Sequence, residues 1–268
     1  MTEQTPRVVI LCGGQGTRLK EETEFRPKPM VQVGQRPLLW HIMQTYAHHG
    51  FKSFVLALGF KGEVIRDYFL NYREQTADVT LSFGPDGTER TLHDPSDIQG
   101  WDITLADTGE HTMTGGRIHR VRRYLGDRTF MMTYGDGVSD IDIPALLAHH
   151  RASGRLATVT GLRPYSRFGV IERGPDGAAT GFREKPRLDD YISGGFFVLE
   201  PGVFDYLDDS CVFELEPLQR LARAGQLGVY THDGFWKSVD TYREFLELNR
   251  MWDRGDRPWA VWDRPAGP

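Results

Sequence analysis

Val8-Val9-Ile10-Leu11-Cys12-Gly13-Gly14-Gln15-Gly16-Thr17-Arg18-Leu19 is a short β-branched run broken by glycines. An apolar run of this length, ended by glycine, predicts a buried strand that opens into a loop. A loop without Cβ atoms lets several backbone N–H groups close on one phosphate. Two familiar glycine signatures do not fit. The dinucleotide pattern G-x-G-x-x-G is met at Gly14 and Gly16, but Leu19 stands at its third position. The phosphate loop of ATPases also fails, because no Gly-Lys-Ser/Thr follows at its spacing. An oxidoreductase built on this first unit is therefore the weaker alternative.

Outward from this stretch, Pro37 opens a helical pattern with Leu39, Ile42, Met43 and Tyr46 on one face and Gly50 as its stop. A second buried strand follows over 54–58, and Val64, Ile65, Tyr68 and Phe69 mark a second helix. The order β-α-β-α predicts a parallel sheet covered on both faces. Further strands are expected over 79–83, 101–106, 130–134, 157–160 and 195–199, and helices over 118–125, 144–151, 214–224 and 241–253. Gly174-Pro175-Asp176-Gly177 reads as a hairpin turn. The fold class is α/β: a Rossmann-like, predominantly parallel but mixed sheet with helices on both faces and a small β-rich insertion.

The composition agrees and narrows the function. Of 268 residues, 39% are hydrophobic and 26% charged, a balance that builds a core. With 32 Lys+Arg against 37 Asp+Glu the net charge is −5, which disfavours nucleic acid as a partner. No stretch approaches the roughly 20 apolar residues of a membrane span. Cys12 and Cys211 are too few for a disulfide framework, so a cytoplasmic, reducing setting is expected. His48-His49 and His149-His150 lack the i, i+4 spacing of a zinc pair and read as solvated helix ends.

Basic residues gather near the glycine loop of this acidic chain. Arg18, Arg26 and Lys28 all follow it closely, and Lys28 stands between Pro27 and Pro29, which stiffen the backbone that aims it. That cluster suits a polyphosphate. Asp136 follows the expected strand over 130–134 and lies between Gly135 and Gly137. It reads either as a turn aspartate or as a carboxylate holding a divalent cation at a strand's carboxyl end. Asp240 precedes an expected helix and is a candidate N-cap. Glu184-Lys185 reads as an edge-strand charge pair.

The run 13–19 with Pro27-Lys28-Pro29 resembles the signature of the sugar-1-phosphate nucleotidylyltransferases. Within them, Glu21-Glu22-Thr23, Leu39-Trp40-His41-Ile42-Met43, Gly59-Phe60-Lys61-Gly62, Asp107-Thr108-Gly109, Met113-Thr114-Gly115-Gly116-Arg117 and Thr133-Tyr134-Gly135-Asp136-Gly137 resemble the glucose-1-phosphate cytidylyltransferases, over residues 7–262. The resemblance implies one nucleotidylyltransferase domain over 1–268, with 1–6 as a disordered tail. It implies cytidylyl transfer from CTP to α-D-glucose 1-phosphate, giving CDP-glucose and pyrophosphate, and a homo-oligomer. A thymidylyl- or uridylyltransferase on the same sugar phosphate, and a non-catalytic nucleotide-sugar sensor, are the alternatives.

The same resemblance assigns residues. Arg18, Lys28, Asp136 and Lys185 would be catalytic, and Asp136 with Asp240 would hold Mg²⁺. Leu11, Gly13, Gly14, Gly16 and Thr17 would surround the nucleotide, with Thr112 and Arg117 reading the cytosine. Cytosine offers acceptors at O2 and N3, which suit an arginine's donors, whereas uracil carries N–H at N3. Gly169, Glu184, Lys185 and Gly195 would face the sugar phosphate, and the run 167–170 would form its loop. Two departures stand out: Ser193 replaces an expected asparagine, and Arg26 an expected lysine.

Overall fold

Alternate residues of the first strand feed two different cores. Val8, Ile10 and Cys12 pack into one buried cluster, while Val9 and Leu11 pack into another. Successive strand side chains point to opposite faces, so a strand apolar at every position must be covered on both sides. The computed structural model describes residues 5–85, 87–93, 97–166 and 168–263.

Seven strands form the central sheet: β1 (Val8–Cys12), β2 (Ser53–Leu58), β3 (Asp102–Asp107), β4 (Phe130–Tyr134), β5 (Ala157–Leu162), β6 (Ile192–Leu199) and β7 (Leu227–His232). Their order is β7-β5-β6-β4-β1-β2-β3. β1 pairs parallel with β2 and β4, β2 with β3, and β5 with β7. Only β6 runs antiparallel, between β4 and β5. The mixed, mostly parallel sheet matches the expected class. β7 escaped the sequence reading because Gly228, Thr231 and His232 leave no apolar run on this half-exposed strand.

Among the described residues, six helices of eight or more residues cover the sheet: α1 (Leu38–His48), α2 (Gly62–Leu70), α3 (Thr114–Val121), α4 (Ile143–Ser153), α5 (Glu216–Arg223) and α6 (Tyr242–Asp253). α1, α2, α4 and α6 give Leu39, Ile65, Leu146 and Leu248 to the first cluster. α3 and α5 give Ile118 and Leu221 to the second. Outside the central sheet lie two separate hairpins, Val79–Gly84 with Gly87–Leu92 and Val170–Arg173 with Ala179–Arg183, and two shorter strand pairs, Gln32–Val33 with Arg36–Pro37 and Gly137–Ser139 with Trp236–Ser238. Of the expected tail, residues 1–4 lie outside the described residues, and Pro6 is buried.

Parallel pairing sends the carboxyl ends of β1, β2, β3 and β4 to one edge of the sheet. There the chain continues into Gly13, Gly59, Thr108 and Gly135. The antiparallel β6 begins at that same edge, which brings Ser193, Gly194 and Gly195 to it.

One expectation about histidines is corrected. His150 is not solvated: it is 1% exposed, and its ring bonds Thr158 Oγ1 on β5 at 2.8 Å and Glu200 Oε1 at 3.1 Å. Those partners lie under the helix end, which sequence spacing could not show. His41 is also buried. Its Nε2 meets the Val33 carbonyl oxygen at 2.9 Å, and the Trp259 indole N–H donates to its Nδ1 at 3.4 Å. Burial lowers its pKa to about 4. The unfolded chain therefore takes up a proton near pH 6.5 that the native state refuses until near pH 4. This contribution to stability is complete above pH 6.5 and is lost as pH falls through that window, on the order of 3 kcal/mol in full. Urea unfolding at pH 7.5 and 4.5 should show this loss in the wild type and much less of it in His41→Gln.

Candidate active site

The glycine loop is shaped by close approaches rather than by turn preference alone. A Cβ at Gly13 or at Gly59 would fall onto the Arg117 guanidinium. At Gly14 a Cβ would meet nothing, so the backbone there faces open space that a ligand can enter. Gly16 has φ +62°, and its carbonyl accepts from Leu19 N–H at 2.9 Å and Thr23 Oγ1 at 3.1 Å. Leu19 is fully buried and anchors the loop's far end.

Pro27 is extended, and Lys28 begins a 3₁₀ turn that runs through buried Pro29 to Met30. Gly135 lets that turn approach, because a Cβ there would lie 2.8 Å from Pro29 Cγ. The result is a charge cluster. Lys28 Nζ donates to Asp136 Oδ2 at 2.8 Å and to Asp240 Oδ1 at 2.7 Å. Arg18 Nη2 donates to the same Asp240 oxygen at 2.9 Å. Ser238 Oγ donates to Asp240 Oδ2 at 3.3 Å. Burial acts to raise the Asp240 carboxyl pKa, but Lys28, Arg18 and Ser238 outweigh it and hold the group below its ordinary value.

Asp240 is not the N-cap of α6. Thr241 takes that place, with its Oγ1 accepting from Glu244 N–H at 3.3 Å. The Glu244 carboxylate accepts from the N–H groups of Thr241 and Asp240, each at 2.9 Å. This capping box fixes the Asp240 backbone and leaves its carboxylate for the cluster. The clue was in the sequence: Thr241 and Glu244 have the box spacing.

Two cavities border the cluster. One of about 530 Å³ is lined by Leu11, Gly13, Gly14, Thr112, Arg117 and Asp136, among others. Another of about 610 Å³ is lined by Arg163, Arg187, His232, Trp236, Lys237 and Asp240, among others. Both sizes suit small-molecule ligands. Gly195 lies in a cleft with Tyr134, Asp136 and Trp236. Thr17 and Arg18 are exposed beside the loop.

Arg117 lines the first cavity but is 4% exposed, and both of its terminal nitrogens are committed to the protein. Nη1 donates to the carbonyls of Leu58 and Gly109 and to Thr108 Oγ1, at 3.0, 2.8 and 2.7 Å. Nη2 donates to the carbonyls of Gly13 and Glu110, each at 3.0 Å. Burial lowers its pKa from the ordinary value. Reading a cytosine would take free donors at this guanidinium. In this geometry it holds the glycine loop to the segment 108–110 instead. Arg120, which the sequence reading passed over, extends the brace: its Nη1 donates to the Thr108 carbonyl and to Thr112 Oγ1, each at 2.9 Å.

The residues expected at the sugar phosphate divide into two groups. Gly195 lies by Asp136, whereas Gly169, Glu184 and Lys185 gather at the 170–183 hairpin. A Cβ at Gly169 would meet the Phe182 ring and lie 3.1 Å from Glu184 Oε2. Lys185 has φ +45° and lies 3.7 Å from Glu184 Oε1, with both side chains 63% exposed. Lys185 pairs there rather than with either aspartate. Arg167, in the expected sugar loop, lies outside the described residues.

A seven-stranded sheet with glycine-loop amides, a lysine and two carboxylates on its carboxyl edge is the equipment of a phosphate-transferring enzyme. The chain belongs to the nucleotidyl transferase family, whose model matches residues 7–254. It is 46% identical over 258 residues to the "probable glucose-1-phosphate cytidylyltransferase" of Bacillus subtilis (strain 168), covering 96% of this chain and 100% of that one. It is 45% identical over 260 residues to the glucose-1-phosphate cytidylyltransferase of Salmonella typhimurium (strain LT2), with the same coverage. Among solved structures, HddC from Yersinia pseudotuberculosis shares the fold at a TM-score of 0.67 and 20% identity, covering 92% of this chain and 100% of that one.

The brace makes its own prediction. Gly59→Ala should push the Arg117 guanidinium out of its carbonyl cradle and cost about 1–3 kcal/mol, as overpacking does. The melting temperature should fall and the nucleotide KM rise more than kcat falls. An unchanged melting temperature and KM would refute the bracing role.

Proposed function

We infer that this protein transfers a cytidylyl group from CTP to α-D-glucose 1-phosphate, releasing pyrophosphate and CDP-glucose. The observation that carries the reading is Lys28 Nζ held between Asp136, which lines one cavity, and Asp240, which lines the other. Two anionic substrates, one in each cavity, would meet at that cluster. Full-length likeness to cytidylyltransferases favours CTP over UTP or dTTP.

The chemistry asks for positioning and charge. The sugar phosphate is already an anion at neutral pH, so its oxygen attacks the α-phosphorus without a general base. Pyrophosphate leaves in line. Amides of the glycine loop and Arg18 hold the triphosphate. Lys28 turns from the aspartates to the reacting phosphates and balances their growing charge. Lys185 swings from Glu184 to hold the incoming sugar phosphate, with Gly169 and Gly195 allowing close approach. The segment 110–112 meets the base, kept in place by Arg117 and Arg120, and Thr112 offers its hydroxyl.

A divalent ion fits the donor set, because two carboxylate oxygens already converge within hydrogen-bond reach of one cation, the Lys28 ammonium. Mg²⁺ held by Asp136 and Asp240 would neutralise and orient the α-phosphate. The free thiols of Cys12 and Cys211 suit the cytoplasm, and no helix among the described residues is long and apolar enough to cross a membrane. The protein would also assemble as a homo-oligomer, and its mass in light scattering would exceed that of one chain.

Pyrophosphate release with glucose 1-phosphate and each of CTP, UTP, dTTP, ATP and GTP tests the reading. CTP should give the highest kcat/KM; a higher value with UTP or dTTP would move the protein to the alternative class. Lys28→Ala should lower kcat/KM by about 10²-fold or more with little change in melting temperature. Turnover near that of the wild type would remove Lys28 from the reaction.

A further inference from the structure

We propose that Lys28 is a resident placeholder for the divalent ion: its ammonium keeps Asp136 and Asp240 closed to a free metal and yields them only when a triphosphate arrives. This rests on the metal site proposed above. Three observations carry it.

The first is position. Lys28 Nζ lies 2.8 Å from Asp136 Oδ2 and 2.7 Å from Asp240 Oδ1. A magnesium ion bound by those same oxygens at about 2.1 Å would set a second cation beside the ammonium and compete with it for the same lone pairs. The metal then enters as the ammonium leaves.

The second is charge. Two carboxylates are matched by two cations, because Arg18 also donates to Asp240 at 2.9 Å. These four side chains together carry no net charge, so the two carboxylates attract a free divalent ion only weakly. Lys28 is also held in place: its side chain is only 11% exposed, and prolines flank it on both sides.

The third is the ligand count. Among the described residues no group of three or more His, Cys, Asp or Glu side chains could hold a metal. Magnesium takes about six oxygens and is commonly completed by substrate phosphates. A triphosphate brings both the missing oxygens and the anionic charge that draws Lys28 and Arg18 away. Metal and nucleotide must then each strengthen the other's binding, since coupling between two ligands is reciprocal.

The test measures Mn²⁺ binding to the full chain without nucleotide, by electron paramagnetic resonance of the free ion. Lys28→Met, which keeps the length and removes the charge, should bind Mn²⁺ at least tenfold more tightly than the wild type. Asp240→Asn added to Lys28→Met should abolish that gain. Lys28→Gln serves in the same way if Lys28→Met does not fold. If Lys28→Met binds Mn²⁺ no more tightly while wild-type turnover still needs a divalent ion, the placeholder is overturned and the transferase reading stands. If no variant binds Mn²⁺ and turnover survives a chelator, the placeholder falls together with the metal site.

Discussion

One ammonium, Lys28 Nζ, is shared by two carboxylates that reach it from distant parts of the chain. Much of the structure serves that meeting. Asp136 is set by the end of β4, and its loop is tied down by Gly135 N–H donating to the Leu11 carbonyl at 3.0 Å. Asp240 is set by the capping box of α6, and Val239 N–H donates to the Asp136 carbonyl at 2.8 Å. Lys28 is set by its proline-flanked turn. Three independent backbone devices therefore fix three charged groups, and the flexible part left is the lysine stem. Electrostatic catalysis needs that arrangement, because donors that must reorganise during the reaction lose most of their benefit.

A second cation, this one buried, has a different task. Arg117 touches five protein oxygens belonging to Gly13, Leu58, Thr108, Gly109 and Glu110. These lie at or just beyond the ends of β1, β2 and β3, so one guanidinium laces three strand ends together. A buried arginine is costly unless its donors are satisfied, and carbonyl oxygens satisfy it here. The lacing also explains why Gly13 and Gly59 must both be glycine: the guanidinium fills the space where their Cβ atoms would stand. In the proposed reaction Lys28 would move, whereas Arg117, with its terminal nitrogens bonded to the protein, would stay.

Expectations fared differently according to the range of the interaction behind them. The strand over 130–134 was legible to the residue, because a fully buried strand between polar segments announces itself in apolar content. β7 was not legible, since an edge strand with Gly228, Thr231 and His232 carries no such signal. Asp240 resembles a cap because it precedes a helix, but the box spacing of Thr241 with Glu244 is the more local signal and marks the true one. His150 reads as a solvated helix end because the sequence cannot say that Thr158 and Glu200 lie beneath it.

The sequence by itself determined the class of sheet, through apolar runs that demand burial on both faces, and the gathering of basic residues beside a glycine loop. These are local properties: hydrophobic periodicity, absent Cβ atoms and proline-limited torsions act within a few residues. Only the tertiary structure decided which charges meet. It joined Lys28 to Asp136 and Asp240, committed Arg117 to carbonyls rather than to solvent, and left Lys185 with Glu184 on an outer hairpin. Those pairings depend on which strand ends share an edge of the sheet, and that follows from the packing of the whole chain, which no local stretch of residues encodes.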